Sequence, residues 1–157
     1  MKNFVKLVLS IVGCEFVGLL ATPFTISSIP TWYAALIKPS FSPPNWIFGP
    51  VWTSLYFLMG VSGYLIWKEG IKKKRVKIAL FYFLIQLFFN FLWSVIFFGL
   101  HQPLLALGDI ILLLAAIILT MMKFNKISKV AFYLLIPYLV WVSFATLLNI
   151  SIVWLNK

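Results

Sequence analysis

Apolar positions fall into five runs of roughly 20 residues, near 5–27, 46–67, 78–100, 104–122 and 130–155, separated by polar or proline-bearing breaks. A helix rising about 1.5 Å per residue needs about 20 apolar residues to cross roughly 30 Å of hydrocarbon, so each run has the length of one crossing. Strands of a membrane barrel would read instead as segments of about ten residues alternating between apolar and polar. The continuous apolar stretch 111–119 does not alternate. The pattern predicts an all-α integral membrane protein, a bundle of five transmembrane helices forming a single domain over 1–157.

The breaks are short except for the first. Residues 28–45 carry Pro30, Pro39, Pro43 and Pro44 together with Trp32, Tyr33 and Phe41. Prolines limit the entropy lost when a loop orders, and a long loop in a short-looped fold is commonly functional. This segment reads as a lid over one end of the bundle.

Composition agrees with the pattern. Apolar residues make up 63% of the chain, against about 45–50% for a soluble domain, and only 3 acidic residues accompany 13 basic ones. The net charge of +10 could suggest a nucleic-acid partner, but the basic residues are bunched between apolar runs, which is the signature of membrane orientation. With five crossings, eleven of the thirteen fall on the side of the N-terminus, including Lys72, Lys73, Lys74 and Arg75; only Lys38 and Lys157 fall on the other. A cell-membrane protein with a cytoplasmic N-terminus is expected, with lipid and not nucleic acid around it. The apolar run continues past Cys14 to a full span, which sets aside a lipid-modified cysteine behind a signal peptide. A single cysteine and a single histidine, His101, leave no disulfide and no metal site.

Several residues do not fit a plain bundle. Trp46, Trp67 and Trp154 sit at span ends, where an anchoring belt is normal, but Trp52, Trp93 and Trp141 lie deeper. Bulky indoles among helices that gain from close packing of small residues point to a lined cavity, with core filling as the blander alternative. Gln86, Asn90 and Trp93 share one face of the third span at i, i+4 and i+7, and Trp52 and Tyr56 share one of the second. Trp141, Ala145, Leu148 and Asn149 share one of the fifth, beyond a kink expected at Pro137. Intramembrane amides are often simple helix-to-helix glue, but here they align with the indoles. Glu15 and Asp109 are the only acids at membrane depth; each either borders water or is neutral and hydrogen-bonded to a neighbour. No phosphate loop, metal motif or Ser-His-Asp set is present, so conventional catalysis has no residues to run on and no cofactor is required.

The residues Trp32-Tyr33-x-x-Leu36-x-Lys38-Pro39-x-x-x-Pro43-Pro44, followed by Phe48-Gly49-Pro50-Val51-Trp52-Thr53-x-Leu55-Tyr56, resemble the translocator protein family. Its members are also called tryptophan-rich sensory proteins or peripheral-type benzodiazepine receptors. The match continues through Gln86-Leu87-x-x-Asn90-x-x-Trp93, Asp109, and Pro137-Tyr138-x-x-Trp141-x-x-Phe144-Ala145-Thr146-x-Leu148-Asn149. The resemblance implies a homodimeric five-helix bundle whose outer-half cavity, capped by the first loop, binds porphyrins such as protoporphyrin IX and benzodiazepine-site ligands. It implies ligand contacts from Trp52, Asn90, Trp141, Ala145 and Leu148, and Tyr56 and Trp93 on the same helix faces and Trp32 in the loop complete the candidate ligand-binding set. It also implies light-dependent porphyrin breakdown in some bacterial members, for which Trp52 and Trp141 are the candidate catalytic residues. The sterol pattern that animal members carry late in the fifth helix is missing from 145–154, which lacks its Tyr and its basic residue. Binding as a sensor or regulator, oxidative degradation, and transport of porphyrin or sterol-like lipids all need the same pocket.

Overall fold

The computed structural model describes residues 2–157, and among these there is no strand. Five rods follow one another: α1 (Asn3–Tyr33), α2 (Phe48–Trp67), α3 (Lys74–Gly99), α4 (Pro103–Asn125) and α5 (Lys129–Leu155). All but α2 are long and apolar enough to cross a membrane. The chain is an integral membrane protein. α2 has the length, at 20 residues, but its first half holds Gly49, Pro50, Trp52, Thr53, Ser54 and Tyr56. That composition belongs to a helix that faces a cavity more than lipid.

The rods form a closed ring in the order α1, α2, α5, α4, α3. Glycine sets the seam between α1 and α2. A Cβ on Gly60 would stand 2.5 Å from the Ile11 Cα, and one on Gly18 would stand 2.5 Å from the Tyr56 ring. Ser10 Oγ donates to the Gly60 carbonyl at 2.7 Å in the same seam. At this end of the bundle α2 also lies against the start of α5, where Ser62 Oγ donates to the Ala131 carbonyl at 2.7 Å. Pro137 lacks the N–H that would continue the ladder, and α5 is interrupted at Leu135. Beyond that break α2 and α5 diverge, and the space between them is the cavity described below.

The end of α1 differs from the sequence expectation. α1 does not end near Ser27 but continues through a wide π turn, Ile29–Tyr33, which accommodates Pro30 where a regular turn would collide with its ring. Trp32 and Tyr33 therefore stand on the end of a helix, and the loop proper is shorter than 28–45. α3 likewise ends in a π turn, Val95–Gly99. The two turns are tied together: Ser28 Oγ donates to the Phe98 carbonyl, and its oxygen lies 3.0 Å from His101 Nε2. His101 has a φ of 56°, in the left-handed region that side chains seldom adopt. Its ring stacks on Trp32 with centroids 4.5 Å apart.

A candidate ligand cavity

A cavity of about 330 Å³ lies in the half of the bundle nearer the first loop, walled by α1, α2, α3 and α5. That volume is at the small end of the roughly 300–1,000 Å³ typical of small-molecule sites. Its walls follow from helical periodicity. From α1 come Glu15, Gly18, Leu19, Thr22, Thr25, Ile26 and Ile29; from α2, Phe48, Gly49, Trp52, Thr53 and Tyr56. α3 adds Trp93, Ser94 and Phe97, and α5 adds Trp141, Ala145, Leu148, Asn149 and Ile152.

Six residues singled out from sequence, Trp52, Tyr56, Trp93, Trp141, Ala145 and Leu148, are thus brought to one space. Trp52 packs against Tyr56 with centroids 5.6 Å apart, and Trp141 meets Phe48 edge-on at 6.1 Å. Neither indole N–H of Trp52 or Trp141 has a hydrogen-bond acceptor among the described residues, so both are free donors on the wall of an apolar space. Trp93 differs. Its Nε1–H donates to Asn149 Oδ1 at 3.1 Å, Asn149 Nδ2 donates to the Pro103 carbonyl at 2.9 Å, and the indole stacks on Phe97 at 4.9 Å. Its position is fixed by three helices.

Asn90 and Trp32 stand elsewhere. Asn90 is 2% exposed and lies behind Tyr56. Tyr56 OH donates to Asn90 Oδ1, Asn90 Nδ2 donates to Tyr138 OH at 3.0 Å, and Tyr138 OH donates to Gln86 Oε1 at 2.7 Å. This chain ties α2, α3 and α5 together at the cavity floor, and Asn90 meets the cavity only through Tyr56. Trp32 stands outside the wall, held between His101 and the edge of Phe97. Of the two acids, Glu15 faces the cavity, while Asp109 is buried in α4 with its Oδ2 unpaired.

Sequence reasoning named Glu15 on α1 but passed over the rest of that helix's wall, along with Ser94, Phe97 and Ile152. Gly18, Ala21, Thr22 and Thr25 recur at helical spacing amid Leu and Phe, and this stripe of small and weakly polar positions is the signal that marks α1 as a wall. Above the cavity, the loop packs down on α5 through Phe41, whose ring meets Phe144 at 6.2 Å. Lys38 Nζ folds back to donate to the carbonyls of Tyr33 and Leu36 at 2.9 and 3.1 Å, closing the end of α1.

The all-α membrane fold of five helices is the one the resemblance implied, and direct comparison decides the family. The sequence model of the TspO/MBR family matches residues 10–155. The chain belongs to the TspO/MBR family. The tryptophan-rich protein TspO of Archaeoglobus fulgidus is 49% identical over 155 residues, covering 98% of this chain and 99% of its own length. The human translocator protein is 45% identical over 120 residues, covering 75% of this chain and 70% of its own. The tryptophan-rich sensory protein of Cereibacter sphaeroides is 37% identical over 126 residues, covering 80% and 77%. This TspO/MBR chain therefore shares its pattern with bacterial, archaeal and animal relatives over most of its length.

Proposed function

We propose that the chain is a membrane sensor or regulator that binds porphyrins, protoporphyrin IX in particular, and benzodiazepine-site ligands in the cavity between α1, α2, α3 and α5. The observation that carries the reading is the pair of free indole N–H groups of Trp52 and Trp141 on the wall of an aromatic, water-poor space. A flat macrocycle is held there by ring contact and a few directed donors, which is the economy of a small-molecule site. The names of the relatives, translocator protein and tryptophan-rich sensory protein, support a role in sensing or translocation.

Transport is the second reading. Against it stands the floor: the Tyr56-Asn90-Tyr138-Gln86 chain ties α2, α3 and α5 together at the deep end of the cavity. The light-dependent breakdown carried by the resemblance would place the easily oxidised Trp52 and Trp141 beside the macrocycle. The eleven basic residues grouped with the N-terminus support its placement in the cytoplasm, with the protein in the cell membrane and the cavity in the outer half. The homodimer rests on the family alone.

An absorbance titration of the purified protein with protoporphyrin IX tests this reading. A saturable change at one porphyrin per chain is expected. A linear rise indistinguishable from empty detergent micelles would contradict it.

A further inference from the structure

Glu15 is the only side chain with a formal charge among those lining the cavity. It stands at the deep end: along α1, Ile29 at the upper rim lies about 20 Å away. Its carboxyl has neither a hydrogen bond nor an ion pair with any described residue, and no basic side chain borders the space. Tyr56, whose ring is seated on Gly18, lies near it, and Trp52 and Thr22 line the same cavity. A lone acid at membrane depth is expensive, and it is characteristically answered by a partner. The protein supplies none, so the partner comes with the ligand.

Resting on the reading of the cavity as a binding site, we propose that Glu15 makes it selective for aromatic ligands that carry a cationic nitrogen at their buried end. The remaining walls accept any flat apolar molecule. Only Glu15 can form a charge-assisted hydrogen bond, which is stronger than a neutral one, and only Glu15 penalises a carboxylate at the same depth. The site is therefore polarised along its length. A protonated amine goes to the floor, and the carboxylate-bearing edge of a ligand such as a porphyrin is turned toward the mouth. Metal binding is not the use of this acid, because no cluster of metal-ligating side chains surrounds it among the described residues.

The test uses two fluorescent probes of the same shape, 1-(dimethylaminomethyl)pyrene and its uncharged isostere 1-isobutylpyrene, titrated into the full chain in phosphatidylcholine nanodiscs. The readout is the ratio of their affinities. The parent protein is expected to prefer the amine, and Glu15→Gln and Glu15→Leu are expected to reduce that preference about tenfold. Taking the ratio cancels any general loosening of the fold, which would weaken both probes together. An unchanged ratio in Glu15→Gln, or no preference in the parent, overturns the proposal. Protoporphyrin IX is titrated in parallel. If it binds while the amine shows no preference, the role of Glu15 fails and the cavity reading stands; if none of the three ligands binds, both fail.

Discussion

The side-chain amide of Asn156 grips the backbone of Ile37 at two points: its Oδ1 accepts from the Ile37 N–H at 3.0 Å, and its Nδ2 donates to the Ile37 carbonyl at 2.9 Å. These residues are 119 positions apart, one at the start of the loop and the other just past the end of α5. The pairing makes Asn156 a latch. With Phe41 on Phe144, it holds the loop against the one helix that also carries Trp141 and Ala145.

Asn156→Ala should therefore release the loop while leaving every side chain of the cavity wall in place. Three hydrogen bonds are lost, the two to Ile37 and one that Asn156 Nδ2 donates to the Ile152 carbonyl at 2.9 Å, and with the loop's anchor gone the ligand off-rate should rise by about tenfold. Stopped-flow displacement of bound protoporphyrin checks this. Replacing Pro43 and Pro44 by Gly, which loosens the same loop by restoring chain entropy, should act in the same direction. An unchanged off-rate in both would make the loop a spacer.

The polar floor should matter to stability more than to shape. Asn90→Leu strands the Tyr56 hydroxyl and leaves Tyr138 OH with Gln86 as its one partner, and a buried group left without its partner costs about 1–3 kcal/mol. Thermal unfolding in mild detergent should show a clear drop in Tm for Asn90→Leu. Tyr56→Phe removes a single hydroxyl from the end of the chain and should lower Tm less. Equal Tm values for all three proteins would mean the chain does not hold α2, α3 and α5 together.

The α1–α2 seam gives a sharper contrast. Gly60→Ala drives a methyl group into the Ile11 backbone, which cannot rotate away, whereas a Cβ on Gly108 meets nothing within 4 Å. Overpacking of this kind costs about 1–3 kcal/mol. Gly60→Ala should be markedly destabilised and Gly108→Ala should not, as read by unfolding in the same detergent.

Much of this was legible in the chain. The five rods follow from span length alone, and the faces bearing Trp52 and Tyr56, or Trp141, Ala145 and Leu148, follow from a period of 3.6 residues. Depth along a rod did not follow so readily. Asn90 shares its face with Gln86 and Trp93, yet only the last reaches the cavity, because the hydroxyls of Tyr56 and Tyr138 meet Asn90 from opposite sides. Trp32 looked like a loop residue because its partner, His101, is far away in sequence, and because a π turn is not signalled by hydrophobic period. α1 was hidden as a wall for a related reason: threonines and glycine in an apolar run look like ordinary helix packing until the opposite wall is known.

Orientation can be checked without any ligand. A reporter inserted in 69–77 should stay cytoplasmic, and one fused after Lys157 should be exported, because the basic residues concentrate at the end of the bundle that holds the second loop. Finding both reporters on one side would break the five-crossing arrangement.

The most direct test asks whether a macrocycle rests against the two free indoles. Protoporphyrin IX is titrated into the parent, Trp52→Phe, Trp141→Phe, and Trp154→Phe, the last being 70% exposed at the far end of α5. Each of the first two should lose about 1 kcal/mol, about fivefold in Kd, since the ring is kept and the N–H lost, and Trp154→Phe should match the parent. Illumination of the same samples should show any porphyrin breakdown falling further than binding in Trp52→Phe and Trp141→Phe. If all four proteins bind and behave alike under light, Trp52 and Trp141 are packing residues and the cavity is not the porphyrin site.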